Sequence, residues 1–410
     1  MINFMNITTH HIKAGWLFDG SNRQIRRNML LTVKQGVFTA IESCTNDNSP
    51  VPGTLTDLSC CTVLPPFVDC HVHLSMSAST DPQTRKDQLT APYSEIFPRI
   101  SEHLHYHFAH GVLAVRDGGD SEGYTNRFRE EQTETARDPV VMKIAGKAWH
   151  QKDRYGRVIG THPQGDETLL EAFSQNNDSI DHVKIINSGI NSLVEFGKES
   201  DPQFSLDELK NIVNEAHQRG QKVMVHANGR LPVQMALEAG CDSIEHGFFM
   251  GRENLRRMAE SETVWVPTIV AMKVLGEGGG LSGPVVDRNV VEKTLEHQLK
   301  QLEFAREYGA KVAVGTDSGS WGVIHGESMV EELKFFMKAG YSLAEALECA
   351  TANGAQLLGI TDIMGHLAVG KPANFIVARA TPAMLRRKLS YLEGIYIGGV
   401  PCSKDFFKKL

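Results

Sequence analysis

The stretch PPFVDCHVHLSMS, residues 65–77, ends an apolar run with two histidines one residue apart. By itself His-x-His carries little, because 17 histidines in 410 residues produce roughly 0.7 such pairs by chance. A rival cluster stands in SEHLHYHFAH (101–110), with His103, His105 and His107. What gives 65–77 its weight is its place in a series. Short β-type runs recur at TVLPPFVDCHV (62–72), GVLAVRD (111–117), VVMKIAG (140–146) and HVKIIN (182–187). They continue at KVMVHA (222–227), DSIEH (242–246), TVWVPT (263–268) and KVAVGTD (311–317).

Helical punctuation lies between several of these runs. Ser205 and Glu208 in SLDELKNIVNEAHQRG form a capping box, and Leu206, Leu209, Val213 and Ala216 follow at helical spacing. Gly220 closes that segment, and Ser342 with Glu345 repeats the device. Strands alternating with helices imply a parallel sheet with right-handed crossovers. Eight of them over about 250 residues match an α/β fold of the closed (β/α)8 TIM barrel type, expected at 63–364. An open doubly wound sheet is the rival, but no GxGxxG follows the first strand. Residues 1–62 and 365–410 alternate short apolar runs with Gly and Asn turns and lack the strand–helix repeat. They are expected to pair into a small β-sandwich domain built from both termini.

Bulk composition narrows the function classes. A net charge of −7 without a basic run argues against nucleic acid or an anionic membrane as partner. The N-terminus lacks the charged start and apolar segment of a signal peptide, and no window approaches 18 uninterrupted apolar residues. Seven cysteines at irregular spacing fit reduced thiols in a cytoplasmic protein. The Cys60, Cys61 and Cys70 group shows neither CxxC nor zinc-ribbon spacing, which disfavours a thiolate metal site. A small-molecule substrate is the expected partner. Oligomeric state is not legible, a symmetric homo-oligomer being the commonest assembly.

Active sites of such barrels lie at the C-terminal ends of the strands. The polar residues there are His71, His73, Lys184, His226, His246 and Asp317. Strand side chains alternate, so His71 and His73 share a side while Cys70 and Val72 face away. The rival histidines follow Pro98 in a segment expected to be helical, where His103, His107 and His110 share a face that reads as solvated or partly packed. Singly, His226 and His246 fit hydrogen-bonded core histidines, and Asp317 in GTDSG fits a turn cap. Lys184 is harder to dismiss, since an unpaired lysine in a buried strand is costly. The joint pattern points to metal.

With these residues in view, the chain resembles the metal-dependent amidohydrolase superfamily, in the branch of Xaa-Pro dipeptidases (prolidases) and imidazolonepropionase. PPFVDCHVH is similar to the family's Pro-Gly-Φ-Φ-Asp-x-His-x-His, GVLAVRD to its Gly-Val-Thr-Thr-Val-Arg-Asp, and HVKIINSG to its carboxylated-lysine strand. SIEHG and GTDSG resemble its later ligand strands. The segment 325–359 resembles its penultimate helices, and GHLAVGKPANFIV its return to the small sandwich. The pattern departs at Pro66 (usually Gly), at Leu113-Ala114 (usually Thr-Thr) and at Asn374 (usually Asp). Where prolidases carry Gly-Gly-His-Gly, this chain has GKAWHQKDRYGRVIG (146–160), with His150 the counterpart.

The resemblance implies that His71, His73 and Asp317 hold one divalent ion, that His226 and His246 hold a second, and that Lys184, N6-carboxylated, bridges them. Imidazole and carboxylate ligands suit Zn²⁺, with Mn²⁺, Co²⁺ or Fe²⁺ as alternatives. Such a pair acidifies a bridging water and polarises a scissile carbonyl. Asp317 and His246 are the expected catalytic residues, Asp317 as general base and then acid. The implied reaction is hydrolysis of an amide C–N bond of a dipeptide or N-acyl amino acid. Lactones, phosphotriesters and cyclic amides suit the same site, and a non-catalytic scaffold would be expected to have lost ligands. For the substrate, Arg154 and Tyr155 are candidates to hold a carboxylate, and His150 and Asn228 to hydrogen-bond the carbonyl or leaving group. The Gly-rich stretch 274–284 lacks the Lys-Ser/Thr of a phosphate loop and reads as a lid or a plain loop.

Overall fold

The computed structural model describes residues 9–44, 53–132, 139–277 and 285–402. Residues 278–284 of the Gly-rich stretch lie outside them, as do the two chain ends. In chain order the strands are β1 (His10–Phe18), β2 (Ile25–Lys34), β3 (Val37–Ser43), β4 (Thr54–Leu64), β5 (Phe67–Val72), β6 (Val112–Asp117), β7 (Val141–Ile144), β8 (Ala148–Trp149), β9 (Gly160–Thr161), β10 (His182–Ile186), β11 (Lys222–Ala227), β12 (Ser243–His246), β13 (Val264–Val266), β14 (Phe375–Ala378), β15 (Gly394–Ile397) and β16 (Val400–Pro401). The chain forms two compact units, one of residues 1–68, 108–113 and 342–410, the other of 69–107 and 114–341.

The first unit carries a seven-stranded sheet ordered β16-β15-β14-β4-β1-β2-β3. β1 lies parallel to β4 and antiparallel to β2, and β14 closes antiparallel on β4 with Ile376 opposite Leu64. Its core gathers Ile12, Leu17, Leu31, Phe38, Val63 and Phe375. Phe375 stacks on Tyr396 with ring centroids 4.4 Å apart. Thr62–Leu64, read from sequence as the start of the first barrel run, belongs to this sheet instead. Pro65 and Pro66 separate β4 from β5, because neither can donate to a ladder.

The second unit is parallel. β5, β6 and β7 form one sheet, and β13-β12-β11-β10-β8-β9 another. β5, β6 and β10 are buried along their whole length, as expected of parallel strands covered on both faces. The β10/β11 register sets Ile186 against His226, and the β11/β12 register sets Ala227 against His246. The Asp181 amide donates to Ile144 O at 2.9 Å, joining the approach to β10 with the end of β7. Run 311–317 is less regular than its sequence suggests. Val312 bridges Trp265, and Ser318, just past the run, bridges Val72, so 311–318 touches both neighbours without a continuous ladder. Backbone bonds from Cys70 N to Val314 O and from Asp317 N to His71 O fix it beside β5.

Helices follow the expected punctuation. Ser205 caps Leu206–Gln218 with Glu208 answering, and Ser342 caps Leu343–Ala350 with Glu345. The rival histidines lie on the helix Tyr93–Ala109. His103 and His107 are buried there and meet His325, so this face is packed rather than solvated.

Candidate metal centre

The C-terminal ends of the parallel strands bring His71, His73 and Asp317 together, with one potential ligand atom of each within 4.8 Å of the others. The Asp317 Oδ1 lies 3.6 Å from His71 Nε2 and 3.4 Å from His73 Nε2. Each imidazole is turned by a bond at its other nitrogen. His71 Nδ1 donates to Glu245 Oε2 at 2.7 Å, and His73 Nδ1 donates to Gly119 O at 3.1 Å. Such partners set the tautomer and leave Nε2 as the ligand atom.

His226 and His246 stand next to this group. Their rings are 4.6 Å apart, and the His246 ring lies 4.9 Å from that of His71. His246 Nδ1 pairs with Thr268 Oγ1 at 2.7 Å, and His226 Nε2 pairs with Gly189 O at 3.2 Å. His246, Thr268 and Asp317 all have left-handed backbone, with φ of 66°, 47° and 61°. For non-glycine residues this is a strained region that clusters at functional sites. Glu332, buried, accepts bonds from the Ile269 and Val270 amides and so holds the turn carrying Thr268.

Lys184 is 1% exposed, and its Nζ has no hydrogen-bond partner among the described residues. Burial pushes its ammonium down to about 8, with Glu245 partly offsetting and Arg116 adding to the fall. Burial and the Lys184 charge also hold His226 at about 4, and burial keeps His71 and His246 well below the usual imidazole range. Burial alone would lower His73 and raise Asp317, but their mutual hydrogen bond and attraction reverse both shifts. Imidazoles held neutral at His71, His226 and His246, with His73 paired to an ionised Asp317, form a donor set suited to a divalent cation.

The scaffold is tight. Asp69 accepts from Thr316 N, Thr316 Oγ1 and His71 N, tying β5 to run 311–317. At Gly315 a Cβ would lie 2.4 Å from Val266 Cγ1 and 2.9 Å from His71 Cβ. At Gly118 it would lie 2.7 Å from His73 Cε1, so both positions admit only hydrogen.

A cavity of about 440 Å³ opens over these groups, lined by His71, His73, Lys184, His226, His246 and Asp317 together with Tyr155 and Asn228. The other two substrate candidates lie elsewhere. Arg154 is exposed and donates to Asp201 O, and it does not line the cavity. His150 is buried, pairs with Gln151 O and is likewise absent from the lining. Sequence reading missed Glu245, although a carboxylate inside the buried strand SIEH is the same signal that singled out Lys184. It also missed Arg116, which donates to Cys70 O, Ser243 Oγ and Glu245 Oε1.

Histidines, a carboxylate and an unpartnered lysine at the ends of parallel strands define a candidate metal centre on an α/β scaffold. The model of the amidohydrolase family matches residues 62–397, and the chain belongs to that family. An ochratoxinase of Aspergillus niger is 29% identical over 184 residues, covering 44% of this chain but only 37% of the relative. An imidazolonepropionase of Streptococcus sanguinis is 24% identical over 397 residues, covering 87% of this chain and 85% of its own. A solved Xaa-Pro dipeptidase with bound methionine in its active site superposes with a TM-score of 0.80 at 24% identity, covering 97% of this chain and all of that one. Among the described residues no helix is long and apolar enough to cross a membrane. The cysteines all lie free of disulfides.

Proposed function

We propose that this chain is a metal-dependent hydrolase of amide C–N bonds, acting on small molecules such as dipeptides or N-acyl amino acids. One observation carries the reading: His71, His73 and Asp317 converge beside an orphaned, buried Lys184 on the floor of one cavity. The relatives' names, ochratoxinase and imidazolonepropionase, support the bond class. The hydrogen bonds that run 311–318 makes to β13 and β5, and that of Asp181 to β7, support closing the strands into an eight-stranded barrel at 63–364. Residues 1–62 and 365–410 form the smaller β domain in this reading.

The donor set fits the divalent ions that the family implies. His71, His73 and Asp317 would hold one, His226 and His246 a second, and Lys184 would bridge them after carboxylation. A lysine amine pushed down to about 8 is partly neutral at physiological pH and open to CO₂, and the carbamate would replace a stranded cation by an anionic ligand. Zinc suits this set best. When bound, the ions would acidify water and polarise the scissile carbonyl. The chain's own groups do the rest. Asp317, held ionised, takes the proton of the attacking water on a carboxylate oxygen and returns it to the departing amine nitrogen. Glu245 and Thr268 keep the His71 and His246 rings aimed, while Asn228, fixed by its bond from Phe248 N, presents its amide beside His226.

The test is hydrolysis by zinc-loaded protein across Xaa-Pro dipeptides, other dipeptides and N-acyl amino acids. Release of an amino acid supports the reading. Two bound metals with no release from any of them would overturn the substrate class and leave lactones, phosphotriesters or cyclic amides.

A further inference from the structure

The cavity wall carries an arginine that nothing in the catalytic set employs. Arg85 lies on the helix Pro82–Gln88 and lines the cavity. Its Nη1 makes two long contacts, 3.4 Å to Ser79 O and 3.3 Å to Gly319 O, and its guanidinium stands 5.9 Å from the centre of the Trp321 ring. Among the described residues Nε and Nη2 have no hydrogen bond, and no carboxylate pairs with the group. Three other arginines with partly or fully buried side chains are paired, Arg26 with Asp19, Arg116 with Glu245 and Arg129 with Asp181.

Position strengthens the case. Gly319 follows Asp317 by two residues, so its carbonyl fixes Arg85 at the rim of the metal site. Burial disfavours the Arg85 charge, and Asp317 and Tyr155 are the acidic groups whose fields reach it. Of the lysines and arginines that line the cavity, the other is Lys184, on the floor among the ligands. Besides Asp317 the lining acids are Asp120, occupied by Tyr124 N, Thr125 N and Thr125 Oγ1, and Glu122, which forms no ion pair with Arg85. Gln88, three residues along the same helix face, also lines the cavity, and its Nε2 lacks a partner among the described residues. Much of the remaining wall is apolar, with Ile96, Val158, Ile159, Leu193, Phe248 and Met272.

We propose that Arg85 anchors a carboxylate of the substrate through its free Nε/Nη2 edge, so that the preferred substrates are amides bearing one carboxylate and an apolar acyl group. A guanidinium edge matches a carboxylate in two parallel hydrogen bonds, and a half-desolvated cation without a partner gains most from receiving one. The assignment rests on the amide-hydrolase reading above, and moves the anchoring role from the outward-facing Arg154 to the first strand–helix connection. Arg85 is a specificity-determining residue in this scheme and takes no part in proton transfer.

The test compares N-benzoyl-L-leucine with N-benzoyl-L-leucinamide, following benzoate release by zinc-loaded wild-type protein, Arg85→Met and Arg85→Lys. Wild-type kcat/KM should favour the acid by about 30-fold or more. In Arg85→Met that ratio should fall close to one, and Arg85→Lys should retain part of it. A ratio is insensitive to the fraction of variant that folds. An unchanged ratio in Arg85→Met, or no wild-type preference for the acid, overturns the anchor while leaving the hydrolase intact. If neither compound is cleaved, calorimetric titration of the same pair separates the two claims. Tighter binding of the acid, lost in Arg85→Met, retains the anchor and overturns cleavage of N-acyl amino acids. Equal or absent binding of the acid removes the anchor.

Discussion

Replacing Glu245 with Gln changes one atom type at the base of the metal centre and should be felt in two separable ways. Glu245 is fully buried and takes bonds from His71 Nδ1 at 2.7 Å, Arg116 Nη2 at 2.8 Å and Ser243 Oγ at 2.6 Å. Neutralising it strands the Arg116 cation, which is only 3% exposed. Breaking a buried pair from one side costs about 3–5 kcal/mol. Here Ser243 Oγ and Cys70 O still accept from Arg116, and the new amide oxygen keeps one bond, so the loss should fall near the lower end, about 3 kcal/mol. The second effect is on His71, whose Nδ1 partner becomes a neutral amide. Loss of such an orienting carboxylate typically lowers metal affinity about 10–100-fold. Adding Arg116→Met removes the stranded cation, so the double variant should regain most of the stability and none of the affinity. Urea denaturation of metal-free protein reads the first effect, and zinc competition against a chromophoric chelator reads the second. Unchanged midpoint and affinity in Glu245→Gln would refute the arrangement, as would a double variant that recovers both together.

Asp317→Asn should fold and keep much of its zinc yet lose nearly all turnover in the hydrolysis assay, and full activity would remove Asp317 as the proton carrier. Gly315→Ala places a methyl 2.4 Å from Val266 and against His71. It should cost about 1–3 kcal/mol in denaturation and weaken zinc binding as well. Glu332 is pushed up to about 8 by burial, against the bonds from the Ile269 and Val270 amides. Its raised value means that the folded state holds a proton the unfolded chain gives up near 4.5. The resulting stability is complete below 4.5 and lost as pH climbs to 8. Relative to Glu332→Gln, denaturation of the wild type should therefore weaken by up to about 1.4 kcal/mol per pH unit across that window. Parallel pH profiles for the two proteins would contradict the shift.

Strands and capped helices were legible because their signals are local. Short apolar β-type runs such as KVMVHA and the Ser205/Glu208 box need no knowledge of distant residues, and both appear where the sequence puts them. The ligand candidates were legible because polar residues at the ends of apolar strands are rare and costly, which singles out Lys184 even alone. Contacts made between loops were not. Arg154 sits in a polar loop that reads as a substrate clamp, but its neighbour Tyr155 faces the cavity while Arg154 reaches Asp201 O. Arg85, in DPQTRKDQL, has every sign of a solvated helix, and only the packing of its helix against the 317–320 loop turns it inward. The irregular course of run 311–317 was hidden as well, since its tight approach to β5 at Gly315 depends on a partner more than 240 residues away, on the scale of the 247-residue span from Asp69 to Thr316.

The central claim is that the cavity floor binds divalent metal through these residues, with Lys184 as the bridge. It is tested most directly by zinc content per chain after loading with zinc and bicarbonate, wild type beside Lys184→Ala. Close to two ions in the wild type and a clear loss in the variant are predicted. No zinc in the wild type, or an undiminished pair in Lys184→Ala, would contradict it.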